Sequence, residues 1–111
     1  MFCPYDPVQI KFQAEETRML KVNEYFDGKV KSISLNTSEG PATVGVMEKG
    51  KYEFGTSTKE IIIVTTGTLN VKLPGSAEWK SYKPYDRFEV EANQKFHLDV
   101  PADASYICYY R

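Results

Sequence analysis

Residues 50–73 of the 111-residue chain read GKYEFGTSTKEIIIVTTGTLNVKL, and this stretch decides the predicted fold. It begins with an alternation of apolar and polar residues over 52–56, passes through the apolar run 61–64 and ends in a second alternation over 69–73. Strict alternation is typical of a β-strand that buries one face. Gly67 marks a turn between the last two segments, because glycine accepts a positive φ. The stretch therefore predicts short antiparallel strands.

The same pattern continues through the rest of the chain. Glycine and proline turn signals recur roughly every ten residues, and further alternating segments lie at 87–91 and 96–100. Only residues 14–26 have a spacing that permits a short helix. This pattern predicts a single all-β domain, either a sandwich or a small barrel. The apolar run 61–64 is expected to form a strand covered on both faces, for instance by the barrel interior and by a partner subunit.

Composition and charge exclude several classes of protein. Hydrophobic residues make up 41% of the chain and charged residues 26%, as in ordinary globular domains. The formal net charge of −1 argues against a nucleic-acid partner bound through bulk charge. Cys3 and Cys108 belong to no metal-binding or disulfide-rich motif, and no apolar run is long enough to span a membrane. The N-terminus has no signal-peptide pattern, so we expect a cytoplasmic protein with no membrane partner.

From residue 19 onward, a series of short motifs carries a family resemblance. They are NEYFDGKVKSI at 23–33, ATVGVM at 42–47, GKYEFGT at 50–56, the block from Glu60 to Val71, and FHLDV at 96–100. In this order and spacing they resemble the pyrimidine/purine nucleoside phosphorylase family of small bacterial cupin-like proteins. The resemblance implies an RmlC-like jelly-roll β-barrel, a homodimer, and cleavage of purine and pyrimidine nucleosides with phosphate to free base and pentose 1-phosphate.

The resemblance also divides the chain. It implies a cupin-like barrel domain over residues 19–111 and leaves residues 1–18 as an N-terminal extension. The alternation of apolar and polar residues over 8–13 predicts one added strand within that extension.

A metal-binding cupin has two histidines after its first conserved glycine, and this chain has none there. Gly50, Glu60 and Gly67 keep the cupin spacing, but Thr56 and Thr58 occupy the histidine positions. Transition metals bind imidazole or thiolate far better than hydroxyl groups. We therefore expect no metal and no other cofactor, which also disfavours a metal-dependent sugar isomerase.

Phosphorolysis requires groups that hold phosphate, stabilise a cationic sugar and hydrogen-bond the departing base. The candidate catalytic residues are Glu60 and His97. Glu60 occupies the cupin glutamate position, although a solvated charge at a strand edge is the alternative. His97 is the only histidine of the chain, and histidine is a common general acid or base in catalysis. It alternates with Phe96 and Leu98, however, and this predicts a side chain that points away from the buried face.

The candidate substrate-binding residues are Tyr52, Phe54, Thr56, Thr58, Arg87 and Phe88. The aromatic side chains among them could stack a base of either class, because every base has a π-face. The hydroxyl groups and the arginine could donate hydrogen bonds to phosphate. The alternative is that the alternating aromatic residues are core and that Arg87 is a surface charge. No single basic residue stands out as the phosphate anchor.

The sequence departs from the family pattern at Tyr85, Glu91, Ala92 and Tyr109, the last standing where family members often have a basic residue. If that basic residue helps to bind phosphate, the activity of this chain is altered. The alternative function is therefore a non-catalytic cupin module that binds a small sugar, nucleoside or nucleotide, since fold alone does not choose between these roles.

Overall fold

The computed structural model describes residues 20–111, so the strand expected over 8–13 lies outside the described residues. Ten strands cover this range, and it contains no helix that could cross a membrane. The strands are β1 (Val22–Tyr25), β2 (Val30–Thr37), β3 (Gly40–Met47), β4 (Gly50–Gly55), β5 (Glu60–Thr66), β6 (Leu69–Lys72), β7 (Lys80–Tyr82), β8 (Arg87–Val90), β9 (Lys95–Val100) and β10 (Ala104–Tyr110). The all-β prediction is confirmed. The short-helix interpretation of 14–26 is wrong where it can be checked, because positions 22–25 form an edge strand.

The strands form two antiparallel sheets that enclose one core. The larger sheet has the order β1-β2-β3-β10-β5-β8, and the smaller has the order β4-β9-β6-β7. Turns predicted from glycine and proline fall between the strands; Gly67, for example, has φ +81° between β5 and β6. Buried side chains from both sheets pack together, including Val64 of the larger sheet and Leu98 of the smaller one.

The inner face of the larger sheet changes from apolar to polar along the strands. At one end Val30 pairs with Met47, which pairs with Ala104, and all three are buried. At the other end Tyr110 pairs with Glu60. Burying Val30 and Met47 contributes about 1.5–3 kcal/mol each relative to exposure, so the core closes the apolar end. The polar end is therefore where the sandwich opens.

The outer face of the larger sheet carries an apolar row. Paired positions on β1, β2, β3, β10 and β5 place Val22, Ile33, Val44, Ile107 and Ile63 side by side across the sheet. Val22 remains 56% exposed, Ile33 43% and Val44 45%. This row explains the unbroken apolar run of β5: its alternate residues face the core and this outer surface.

Candidate active site

A cleft of about 130 Å³ opens between the sheets at the polar end of the sandwich. Its walls include Phe54 of β4, Phe88 of β8 and Phe96 of β9. The inner face of the larger sheet forms its floor and contributes the polar groups of Ser32, Glu60, Tyr106, Cys108 and Tyr110. Strand alternation produces this arrangement, because every one of these residues lies on an inward-facing position.

The aromatic walls are fixed by pairing between strands. Phe54 and Phe96 are directly opposite on β4 and β9, with ring centroids 5.9 Å apart and planes inclined by 28°. Phe88 and Phe96 pack edge to face, with ring centroids 6.2 Å apart. Tyr25 of the edge strand β1 packs edge to face with Phe54, with ring centroids 6.3 Å apart, and forms the rim of the cleft. Such rings offer a flat apolar surface to a planar ligand.

Glu60 is the only carboxylic acid among the described residues that line the cleft. It begins β5 and is half-buried, and the Sγ of Cys108 donates a hydrogen bond to its Oε1 at 3.5 Å. Burial raises the pKa of Glu60 above its usual value, and the thiol hydrogen bond only partly opposes that shift. Burial and the nearby Glu60 charge also raise the pKa of Cys108, so its thiol is neutral at physiological pH.

The side chain of Tyr106 reaches the cleft by passing directly over Gly45 of the neighbouring strand. It is paired with Gly45 of β3, and a Cβ built on that glycine would lie 2.5 Å from the Tyr106 Oη and 2.7 Å from Cε1. Cβ atoms essentially never approach other atoms closer than 3.0 Å. The ring therefore occupies space that only glycine leaves open. Burial is the main reason why the pKa of Tyr106 lies well above its usual value.

A second, larger groove adjoins the cleft. It has a volume of about 410 Å³ and shares Tyr25 and Tyr110 with the cleft. Most of its polar lining comes from β1, β2 and β3. The polar residues of the groove are Lys21, Asn23, Ser34, Asn36, Thr43, Tyr25 and Tyr110. None of these residues was predicted as a site residue, because single Ser, Asn and Thr residues on strands carry no chemical signature, even where they fall within the family motifs at 23–33 and 42–47.

The structure brings three of the predicted site residues together: Glu60, Phe54 and Phe88 all line the cleft. Tyr52 is buried next to them, but it does not line the cleft. Its ring centroid lies 5.0 Å from that of Phe26, and its hydroxyl donates to the carbonyl oxygen of Glu48. It supports the wall by packing beside Phe54, with ring centroids 6.1 Å apart.

The other predicted residues lie outside the cleft lining. The Thr56 hydroxyl donates to the carbonyl oxygen of Glu91 at 2.6 Å and accepts from the backbone N–H of Gln94 at 3.1 Å, so it joins the end of β4 to a turn. Thr58 is exposed in the loop before β5. Within residues 20–111, no group of three or more His, Cys, Asp or Glu side chains is arranged to hold a metal ion.

Arg87 and His97 face solvent on the outer surfaces. Arg87 forms an ion pair with Glu89 at 2.7 Å, two residues along the same strand. His97 lies on the outer face of the smaller sheet, with its Nε2 3.0 Å from Oε2 of the paired residue Glu53. This is the orientation that the alternation with Phe96 and Leu98 indicates.

The family model of pyrimidine/purine nucleoside phosphorylase matches residues 20–110. The chain belongs to this family. Relatives with that name from Pseudomonas fluorescens strain Pf0-1 and Pseudomonas aeruginosa strain LESB58 are 57% and 58% identical over 93 residues. Each alignment covers 84% of this chain, with 99% of the first relative and 100% of the second. The family prediction is confirmed.

Solved structures support the same fold. A Vibrio parahaemolyticus protein of unknown function is 41% identical with a TM-score of 0.78, covering 82% of this chain and 97% of the other. An RmlC-like cupin from Shewanella frigidimarina is 20% identical with a TM-score of 0.64 and 80% coverage of both chains. At that identity the second likeness concerns the fold alone. The predicted cupin-like jelly roll is confirmed for this member of the nucleoside phosphorylase family.

Proposed function

We propose that the protein is a nucleoside phosphorylase and that the aromatic cleft is its active site. In this proposal it cleaves purine and pyrimidine nucleosides with inorganic phosphate, giving the free base and pentose 1-phosphate without a metal or organic cofactor. One observation carries the assignment: in a member of this family, a half-buried carboxyl group, that of Glu60, faces a cleft walled by Phe54, Phe88 and Phe96.

The aromatic walls account for the tolerance of both base classes. Stacking on an aromatic ring contributes about 1–3 kcal/mol per base and depends little on which base is stacked. Phe54 and Phe88 have no hydrogen-bonding groups, so they select a flat apolar ring and not a pattern of base edges. The cleft itself is small, which suits a base more than a whole nucleoside.

Glu60 supplies a proton to the departing base in this proposal. A phosphate oxygen bonds to the anomeric carbon of the pentose while the bond from that carbon to the base nitrogen breaks, and the base leaves with the electron pair. Because burial raises the pKa of Glu60, its neutral form persists to higher pH than that of an exposed glutamate. The neutral carboxyl donates its proton to the base, and the carboxylate regains a proton that the phosphate group releases through solvent.

Tyr52 and Thr56 act as supports in this scheme, because their hydroxyl groups are bonded to backbone carbonyl oxygens behind and beside the aromatic wall. Thr58, Arg87 and His97 receive no role at the cleft, since they lie on the loop before β5 or on the outer surfaces.

The second candidate function is a non-catalytic module that binds nucleosides. It is favoured by the aromatic cleft, where phosphate would be expected to bind, because no lysine, arginine or histidine of residues 20–111 lines it.

Incubation of the purified protein with inosine or uridine, with and without phosphate, separates the two functions. We expect free base to appear only when phosphate is present, as measured by chromatography, together with an equal amount of pentose 1-phosphate. Release of base without phosphate would indicate a hydrolase. If nucleosides raise the melting temperature but no base is released, the binding module is the correct assignment.

We also propose that the protein is a homodimer and that the outer apolar row of the larger sheet is its interface. Five apolar side chains in register form a continuous patch, which in a soluble domain usually marks an interaction surface. A second copy is the simplest occupant, because a two-fold interface pairs the same patch on both subunits.

Substitution of Val44 by glutamate tests the interface. We expect the wild-type protein to have the mass of a dimer at micromolar concentration by size-exclusion chromatography with light scattering, and the variant to have the mass of a monomer. Val44 is 45% exposed in the single chain, so the substitution should leave the fold intact. Ala77→Glu, in the exposed loop before β7, is the matched control and should remain dimeric. A monomeric wild-type protein would overturn the proposal.

Residues 19–111 are proposed as the catalytic domain and residues 1–18 as an extension, in keeping with the family match over 20–110. We place the protein in the cytoplasm, with a role in nucleoside salvage.

A further inference from the structure

The polar groove beside the aromatic cleft has the properties of an anion-binding site. Among residues 20–111, its lining contains one cation, Lys21, and no aspartate or glutamate. The groove also falls within the range of about 300–1,000 Å³ that is common for small-molecule sites, whereas the cleft alone does not. A substrate larger than a base therefore needs both spaces.

Hydroxyl groups in the groove are held ready to donate. The Asn23 side-chain amide donates to the Oγ of Ser32 at 3.2 Å and to the Oγ of Ser34 at 3.1 Å. Because the Ser34 oxygen accepts from Asn23, the Ser34 hydroxyl keeps its own proton for another acceptor, whereas Ser32 lines the cleft and is also bonded to Tyr106. The hydroxyls of Thr43 and Tyr110 are 3.0 Å apart, and one of their two protons is likewise left to donate.

Lys21 lies on the same side of the sheet as these groups. Its carbonyl oxygen accepts a hydrogen bond from the backbone N–H of Ser34, which extends the pairing of β1 with β2 by one step. Alternation then places Lys21, Asn23 and Tyr25 on the inner face, opposite Val22 on the outer one. No carboxylate of residues 20–111 forms an ion pair with Lys21.

Other cations near the open end are already engaged. Lys59 and Arg87 both form ion pairs with Glu89, and Arg111 pairs with Glu39. At the opposite end of the sandwich, Lys29 and Lys31 line a separate hollow together with Glu48 and Asp103, whose charges oppose theirs. That hollow shares no lining residue with the cleft.

We propose that the groove is the phosphate subsite of the nucleoside phosphorylase and that Lys21 is its cationic anchor, with Ser34 as a neutral donor. The base lies between the phenylalanine rings of the cleft, the pentose crosses the junction at Tyr25 and Tyr110, and inorganic phosphate lies in the groove. Tyr110 is the strand partner of Glu60, so the proton donor lies beside this junction. In this arrangement the bond between the anomeric carbon and the base lies between the phosphate and Glu60. This inference rests on the proposed phosphorolysis.

Kinetics of Lys21→Ala at varied phosphate and varied inosine test the assignment. We expect the KM for phosphate to rise about tenfold or more, because a charge-assisted hydrogen bond is lost. The KM for inosine should stay within about threefold. Ser34→Ala should raise the phosphate KM by a smaller factor, and Lys21→Arg should restore most of the affinity. The matched control is Lys51→Ala on the outer face of the smaller sheet, which should leave the phosphate KM unchanged.

A direct binding measurement separates failure of this inference from failure of the proposed function. We would titrate inorganic phosphate into the wild-type protein and Lys21→Ala and follow the heat of binding and the melting temperature. If the wild-type protein is inactive but binds phosphate, and this binding is lost in Lys21→Ala, the phosphate site is supported and the proposed phosphorylase function is rejected. An active wild-type protein whose phosphate KM is unaffected by Lys21→Ala would overturn the site alone. Absence of both activity and phosphate binding would overturn both.

Discussion

Substitution of Glu60 by glutamine is expected to lower the kcat of nucleoside phosphorolysis by about 10²–10³-fold. Loss of a positioned general acid typically costs about 10²–10⁴-fold, and the part of the cleft lining that the structure describes offers no other carboxyl to replace it. The KM for phosphate should change little, because Glu60 contacts the base side of the substrate in this scheme. Steady-state rates with inosine and uridine provide the measurement, and both substrates should be affected alike.

The same variant should be more stable than the wild-type protein at neutral pH. Because the folded-state pKa of Glu60 is raised, the folded protein binds this proton more tightly than the unfolded chain does. The resulting stabilisation is fully present below the ordinary glutamate pKa and is lost as pH rises through the raised value. We therefore expect Glu60→Gln to have the higher melting temperature at about pH 8 and the two proteins to converge near pH 4.

Glu78→Gln is the matched control for both measurements, because Glu78 lies in the exposed loop before β7. It should change neither kcat nor the pH dependence of the melting temperature. Full activity of Glu60→Gln would exclude Glu60 as the proton donor. A melting temperature lower than that of the wild-type protein at pH 8 would show instead that the carboxylate stabilises the fold.

The second large effect is expected from Gly45→Ala, which should destabilise the protein by about 1–3 kcal/mol, the usual cost of overpacking. The added methyl group would overlap the ring of Tyr106, which lies across the glycine on the neighbouring strand. For a domain of this size, the melting temperature should fall by about 4–8 °C per kcal/mol. Activity should fall as well, because the displaced ring forms part of the floor of the cleft.

Two further variants identify the cause. Gly55→Ala adds a methyl group whose nearest neighbour is the carbonyl oxygen of Gln94 at 3.8 Å, so its melting temperature should stay close to that of the wild-type protein. The double variant Gly45→Ala/Tyr106→Leu should be less destabilised than the sum of the two single variants, since the smaller side chain makes room for the methyl group. Additive effects would show that the ring and the glycine are not in contact.

The sequence predicted the outline of the cleft because strand alternation is a local property. Phe54 and Phe88 are inward-facing in their own strands, and the spacing of Glu60 from the preceding glycine placed it at the start of the next one. The same parity argument offered an outward-facing His97 as the alternative, and the structure shows it there beside Glu53. For Thr56, the pattern left open a wall residue or a hydroxyl bonded to backbone, and the structure shows the second arrangement.

The groove could not be predicted in this way. Lys21, Ser34, Thr43 and Tyr110 belong to four different segments of the chain, and only Thr43 lies within one of the family motifs, ATVGVM at 42–47, where nothing marks it as a site residue. They come together only because β2, β3 and β10 are neighbours in the larger sheet. That order depends on contacts between residues far apart in sequence, for which local alternation holds no information.

The sequence by itself therefore determined the all-β class, the strands β4, β5, β6, β8 and β9 with their inward-facing residues, and the family, because each is encoded by neighbouring residues or by a series of local motifs. The tertiary structure alone decided which inward-facing residues share a cavity, since this depends on strand order and register. It placed the Tyr106 ring over Gly45 and set Glu60 opposite Tyr110 at the junction of the cleft and the groove. Pairing between strands that are distant in sequence places the apolar cleft beside the polar groove. A local alternation pattern holds no information on that pairing.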